Sequence, residues 1–284
     1  MEPKVMIVEH DGFGIGALDW GGDGPPLLLL HPNGFCAGVF DPIAQRLRGE
    51  YRPIGVDVRG HGTSDRPKTR DECGFTDAAG DVLAVLEHLG IDEVVVLGES
   101  LGGGVAIILD RLRPGIIRRA LLCEAAAMGP PARPDSGDIL LGQLMSRAAR
   151  GRRDVWPDRD TAMASYGSRP PLEVFEPAAL TGYVRWGFRD RLDGQVELSC
   201  PPEVEAWYFE GSGDDGPMAA FEHLTSFSAP ATVVRGSGSD LPPEVFTMQA
   251  ASLGVELVEV AGTHFFLQED TERAVALVRE HLSW

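Results

Sequence analysis

The sequence predicts an α/β protein: a mostly parallel central sheet with helices on both faces, plus a mainly helical insertion after the sixth strand. Three observations carry this. Strand-like and helix-like segments alternate from residue 26 to about residue 124. The runs "PLLLLH" (26–31) and "DEVVVLG" (92–98) are strand-sized and largely apolar, as parallel strands buried on both faces require. The alternation breaks near residue 126, around the Pro/Gly-rich "MGPPARPDSG" (128–137), and resumes with "ATVVRG" (231–236).

The elements follow in order. Residues 4–20 read as two strands around the turn signal Asp11-Gly12. After "PLLLLH" come a helix in "FDPIAQRLRGE", a strand in "YRPIGVDV" and a helix in "TDAAGDVLAVLEHLG". That last helix gathers Val82, Val85, Leu86 and Leu89 on one face, with Gly90 as its stop. The strand "DEVVVLG", a helix over 104–112 and the strand "IIRRALLCE" complete the first half. From about 137 to 209 the pattern is helical and irregular, broken by Pro157, Pro170, Pro171, Pro177, Pro201 and Pro202. A helix over 243–253, a strand "VELVEV" (255–260) and a last helix "TERAVALVREHL" follow "ATVVRG". In that last helix Ala274, Val275, Leu277, Val278 and Leu282 face inward. The expected division is residues 1–126 and 210–284 as one body, with 127–209 inserted.

The net charge of −18 argues against nucleic acid or an anionic membrane as a partner. Residues 130–195 are nearly charge-balanced, so the acidic excess belongs to the body. The arginines of the insertion are expected to pair with that body or to lie in solvent. No apolar run is long enough to span a membrane. The first ten residues alternate in polarity without the apolar stretch of a signal peptide. Cys36, Cys73, Cys123 and Cys200 show no metal-binding spacing, and reduced thiols in a cytoplasmic protein are expected. No metal or cofactor is implied. A small-molecule substrate is the expected partner, and homo-oligomer formation is left open.

The chemistry centres on "GESLG" (98–102), where a strand passes into a helix. This is the G-x-S-x-G context in which a serine is lifted from a sheet edge as a nucleophile. Gly98 and Gly102 give room beside Ser100, and the Leu101 N–H stands at the helix N-terminus. Gly103 and Gly104 are not demanded by the motif, and close packing of the helix against the sheet is expected to need them. A phosphate-binding reading fares worse. There is no GxGxxG at this turn and no GxxxxGK[ST], and the only lysines are Lys4 and Lys68.

A serine nucleophile needs a base and the base an orienting carboxylate. Of the seven histidines, His264 directly follows the last strand in a Gly-containing loop and is the expected base. His31 is expected to hold a turn and His61 to hydrogen-bond within a loop. Asp240, just past the strand "ATVVRG", is the first choice of acid, although Asp also suits a helix N-cap there. Glu124, ending "IIRRALLCE", is the second choice.

The order Ser…Asp…His together with the elbow resembles the α/β-hydrolase superfamily, in its serine-nucleophile, esterase- and lipase-like branch. "LLLLHPNGF" resembles its oxyanion-hole loop, and "GVDVRGHGTSD" its D-x-R-G-x-G-x-S loop. The resemblance spans nearly the whole chain outside 126–210, and the insertion falls where the family carries its cap. It implies Leu101 and Asn33 as backbone oxyanion donors. Pro32 stands where the family usually has Gly, but Asn33 keeps its own N–H.

The resulting expectation is a serine hydrolase that cleaves a carboxylic ester, or related acyl compound, of a small, largely apolar substrate. Cofactor-free haloperoxidases (perhydrolases) and carbon–carbon bond hydrolases share the triad. In the latter a Trp commonly follows the histidine, where this chain has Phe265. A catalytically silent ligand-binding regulator is the alternative of another class, and the intact Ser/Asp/His set argues against it. Most aromatic residues of the insertion are expected to form a small core of its own, with a few lining an apolar pocket.

Overall fold

The structure is a computed structural model that describes residues 2–129, 137–211 and 215–284, with the backbone alone for residues 137–141. The proposed boundary "MGPPARPDSG" lies mostly outside the described residues. In the first half, β1 (Lys4–His10) and β2 (Phe13–Asp19) form a hairpin whose turn residues Asp11 and Gly12 both take positive φ. Then come β3 (Pro26–Leu30), α1 (Asp41–Leu47), β4 (Arg52–Val56), α2 (Phe75–His88), β5 (Val94–Glu99), α3 (Leu101–Leu112) and β6 (Ile117–Cys123). The middle of the chain holds α4 (Gly137–Arg150), β7 (Val155–Trp156), α5 (Arg159–Tyr166), α6 (Pro177–Trp186), β8 (Phe188–Asp190), β9 (Val196–Leu198) and α7 (Pro202–Glu210). The chain ends with α8 (Pro217–His223), β10 (Ala231–Gly236), α9 (Pro243–Leu253), β11 (Leu257–Val260), α10 (Phe266–Glu269) and α11 (Thr271–His281).

Eight strands form one sheet in the order β1-β2-β4-β3-β5-β6-β10-β11. The β1–β2 and β2–β4 pairs are antiparallel, and every pair from β4 to β11 is parallel. The apolar runs are buried on both faces, because successive side chains of a strand point to opposite sides. Leu28, Leu30, Val94 and Val96 join the core on the side of α2 and α3, with Val82, Val85 and Leu86. Leu27, Leu29, Val95 and Leu97 join the opposite core with Val275 and Val278 of α11. Each fully buried aliphatic side chain is worth about 1.5–3 kcal/mol of transfer free energy. These central strands therefore hold the frame on which the loops are mounted.

The segment from α4 to α7 is mainly helical, as the sequence reading expected, but not helical throughout. It contains a small antiparallel sheet, β7-β9-β8. Nor do its aromatic residues form a separate core. Trp156, Phe175, Tyr183 and Phe188 share one buried cluster with Phe35 of the body, and Phe175 packs edge-on against Phe265. Its arginines depart from the expectation of pairing with the body or lying in solvent: Arg150, Arg152, Arg159, Arg185 and Arg191 all meet carboxylates, mostly of the same segment. Among the described residues Arg185 reaches Glu2 of the body, and the others pair within the segment from α4 to α7. The four cysteines are buried and unpaired. Among the described residues no helix is long and apolar enough to cross a membrane.

Candidate active site

A parallel sheet delivers the carboxyl ends of its strands to one edge, and the loops leaving them converge. Ser100 follows β5, Glu124 follows β6 and His264 lies beyond β11. Asn33 follows β3. All four line a single cavity of about 660 Å³, together with Leu101. The remaining wall is mostly apolar, with Phe75, Met128, Met145 and Tyr208 among its residues.

Ser100 has φ 52° and ψ −116°, a strained setting for a residue with a side chain. The turn is held from three sides. The Ser100 N–H donates to the Cys123 carbonyl (3.0 Å), and the Ser100 carbonyl accepts from Ala126 N–H (2.7 Å). The Gly102 N–H donates to the His31 carbonyl (3.2 Å). A Cβ on Gly102 would lie 2.1 Å from the Leu30 carbonyl oxygen, so only glycine allows α3 this close to β3. The two further glycines are needed for packing, chiefly against the loop after β6 and Phe75 rather than against the sheet. A Cβ on Gly103 would meet Ala125 at 2.5 Å, and one on Gly104 would meet Phe75 at 2.4 Å and the Ala126 carbonyl at 2.6 Å.

His264 faces a carboxylate, but not that of Asp240. Its Nδ1 lies 2.5 Å from Glu124 Oε2. Glu124 is buried and takes φ 45°, so the end of β6 is twisted to aim this side chain along the sheet edge. Its carboxylate accepts two further hydrogen bonds, from Gly236 N–H to Oε1 (2.8 Å) and from Ser239 Oγ to Oε2 (2.7 Å). The assignment of Asp240 as the partner of His264 is therefore corrected. Asp240 is exposed. The chain turns at Gly236–Ser239, with Ser239 N–H donating to Gly236 O at 3.1 Å, and Asp240 lies beyond that turn. It does not cap α9 either, whose N-cap is Pro242. The loop after β10 supplies donors to the carboxylate instead of the carboxylate itself.

With Nδ1 engaged by Glu124, Nε2 of His264 is the nitrogen free to exchange a proton at the cavity. Among the described residues Ser100 Oγ and His264 are not hydrogen-bonded to one another. Such contacts commonly tighten only with substrate in place. The Leu101 N–H, at the first position of α3, and the Asn33 N–H have no partner among the described residues. Both are unspent donors beside the serine.

His31 and His61 behave as structural residues. His31 Nδ1 donates to the Pro32 carbonyl (2.8 Å) and its Nε2 accepts from Val58 N–H (3.1 Å). His61 Nε2 accepts from Gly34 N–H (3.0 Å). Burial pushes the pKa of both rings down, which keeps them neutral and able to accept. The buried Asp57 of "GVDVRGHGTSD" accepts from Ala37 N–H (2.7 Å) and Thr63 N–H (2.8 Å), tying that loop to the β3 loop.

A buried acid next to the elbow escaped the sequence reading. Glu99 precedes the elbow serine, is fully buried and accepts one hydrogen bond, from Gln268 Nε2 (2.7 Å). Burial pushes its pKa up to about 8. Its second oxygen has no partner among the described residues. A glutamate ending an apolar strand was the available signal, but only burial shows what it means.

The family of this site is shown by comparison. A model of the alpha/beta hydrolase fold matches residues 25–269, and the chain belongs to that family. A 2-(acetamidomethylene)succinate hydrolase of Mesorhizobium japonicum is 33% identical over 253 residues, 87% of this chain and 84% of the relative. A bifunctional esterase/perhydrolase of Acinetobacter calcoaceticus is 31% identical over 219 residues, 70% of this chain and 75% of the relative. The solved structure of an E-2-(acetamidomethylene)succinate hydrolase superposes with a TM-score of 0.83 at 19% identity, covering 99% of each chain. That likeness shows the fold, and the sequence relatives support hydrolase activity.

Proposed function

We propose that the protein is a serine hydrolase that cleaves a carboxylic ester, or a related acyl compound, through an acyl-enzyme. The observation that carries this is the shared cavity wall: a serine at positive φ beside a histidine whose far nitrogen meets a buried glutamate. His264 takes the Ser100 proton as Oγ bonds to the acyl carbon. The N–H groups of Leu101 and Asn33 receive the oxyanion, each such donor being worth about 2.7–4 kcal/mol in comparable sites. His264 returns the proton to the leaving alcohol, and water, deprotonated by the same histidine, releases the acid. The apolar walls suit a small, largely apolar acyl group.

The test is labelling with a fluorophosphonate probe, located by mass spectrometry, alongside hydrolysis of p-nitrophenyl esters of graded chain length. Label on Ser100 and loss of both label and turnover in Ser100→Ala are expected. Label elsewhere, or undiminished turnover in Ser100→Ala, overturns the reading.

The esterase/perhydrolase relative favours a second use of the same acyl-enzyme, with hydrogen peroxide replacing water to give a peracid. Peracid formation from an ester and peroxide, absent in Ser100→Ala, is the expected result under that reading.

A further inference from the structure

We infer that Arg152, just after α4, and Glu205, in α7, are positioning residues that hold the Asn33 oxyanion donor from behind. The inference rests on the reading of Asn33 N–H as that donor. Asn33 and Gly34 occupy a turn closed by Phe35 N–H donating to Pro32 O (3.2 Å), with Gly34 at φ 79°. The other polar groups of Gly34 and the Asn33 amide nitrogen are taken by residues behind the turn. Gly34 O accepts from Tyr183 Oη (3.2 Å) and from Arg152 Nη1 (3.4 Å). Gly34 N–H donates to His61. The Asn33 side-chain amide donates to the Glu205 carbonyl (2.9 Å). The Asn33 backbone N–H has no partner among the described residues and is left for the cavity.

The pair itself is built for stiffness. Arg152 Nη1 meets Glu205 Oε2, and Arg152 Nη2 donates to Tyr183 Oη at 2.7 Å and Tyr166 Oη at 3.3 Å. A guanidinium presents these donors in one rigid plane, which fixes direction as well as charge. The fit is tight, since a Cβ on Gly34 would lie 2.7 Å from Glu205 Cδ and 2.8 Å from Arg152 Nη1. Neither Arg152 nor Glu205 lines the cavity, so neither is placed to touch a substrate. The pair also differs from its neighbours. Arg191 with Asp193 and Arg150 with Glu203 are largely exposed, and such pairs contribute little. Glu205 is 90% buried at its side chain, so removing Arg152 leaves a carboxylate pressed against the turn without its counter-charge.

The consequence concerns catalysis rather than binding. A misdirected oxyanion donor weakens the transition state and leaves ground-state affinity alone. Arg152→Met is therefore expected to lower kcat for p-nitrophenyl butyrate about 10–100-fold, with KM changed less than about threefold. Binding of an aliphatic trifluoromethyl ketone, which forms a tetrahedral adduct with the serine, should fall in parallel with kcat/KM. Arg152→Lys, which keeps the charge and loses the fork, should recover part of kcat. If Arg152→Met does not fold by circular dichroism, Tyr183→Phe removes one donor to Gly34 O and is expected to lower kcat a few-fold at unchanged KM. A folded variant with parental kcat and parental ketone affinity overturns the inference, as does a loss carried by KM alone. Ser100→Ala separates the two readings. If it is inactive while Arg152→Met is fully active, only the positioning role fails. If it retains full turnover, the hydrolase reading fails first.

Discussion

The loops leaving β6 and β10 stand side by side at one sheet edge, and each offers a carboxylate: Glu124 from the first and Asp240 from the second. Glu124 is buried, sits at positive φ and is met by His264, Gly236 and Ser239. Asp240 is exposed, beyond the turn that supplies two of those donors. The difference teaches that an orienting acid is recognised by its cradle, not by its type or its place in chain order. A carboxylate held by several fixed donors keeps its direction, whereas one in solvent is free to turn.

The sharpest way to break this comparison is to neutralise each acid in turn. Glu124→Gln should lower kcat for ester hydrolysis about 10³–10⁴-fold with the fold retained, because an amide there favours the wrong histidine tautomer. A loss under tenfold would return the role to another group. The second contrast uses Glu99, which ends the neighbouring strand with one donor instead of three. Its folded pKa, about 8, lies above the ordinary carboxyl value of 4.5. The native state therefore binds the extra proton, and stability is lost as pH rises from about 4.5 to about 8 and is flat above. Glu99→Gln should remove that slope, gaining a few kcal/mol over the parent at pH 8 relative to pH 5. Parallel denaturation curves for the two proteins across this range would refute it.

Smaller effects sharpen the picture. Gly104→Ala should cost about 1–3 kcal/mol in chemical denaturation, since its Cβ would overlap Phe75 and a backbone carbonyl. Undiminished stability would show that α3 has slack. Ser239→Ala deletes one hydrogen bond to the Glu124 carboxylate, and a fall in kcat of about tenfold is expected, read from steady-state kinetics at constant Tm. Asp240→Asn should change kcat by less than about twofold. A large loss there would reinstate it.

Much of the fold was legible in the sequence because its signals are local. The unbroken runs of β3 and β5, the helix stop at Gly90 and the bounds of β10 and α9 depend on neighbours in the chain. The elbow was legible for the same reason: glycines flanking Ser100 between a strand and a helix are a local pattern. The middle segment was harder. Its three strands are two or three residues long, too short to show a period. Its aromatic residues pack against Phe35 and Phe265, which lie far away in the chain.

By itself, then, the sequence determined the sheet, the strand-to-helix turn at Ser100 and the fold family, since periodicity and turn chemistry are written in adjacent residues. Only the tertiary structure decided which carboxylate faces His264. Glu124 and Asp240 both follow a strand, and nothing adjacent to either residue reveals which one is reached by His264, 140 positions from Glu124. The choice follows from burial and from donors contributed by other strands. The same holds for Arg152 and Glu205, whose relation to Gly34 exists only once the segment from α4 to α7 lies against the β3 loop.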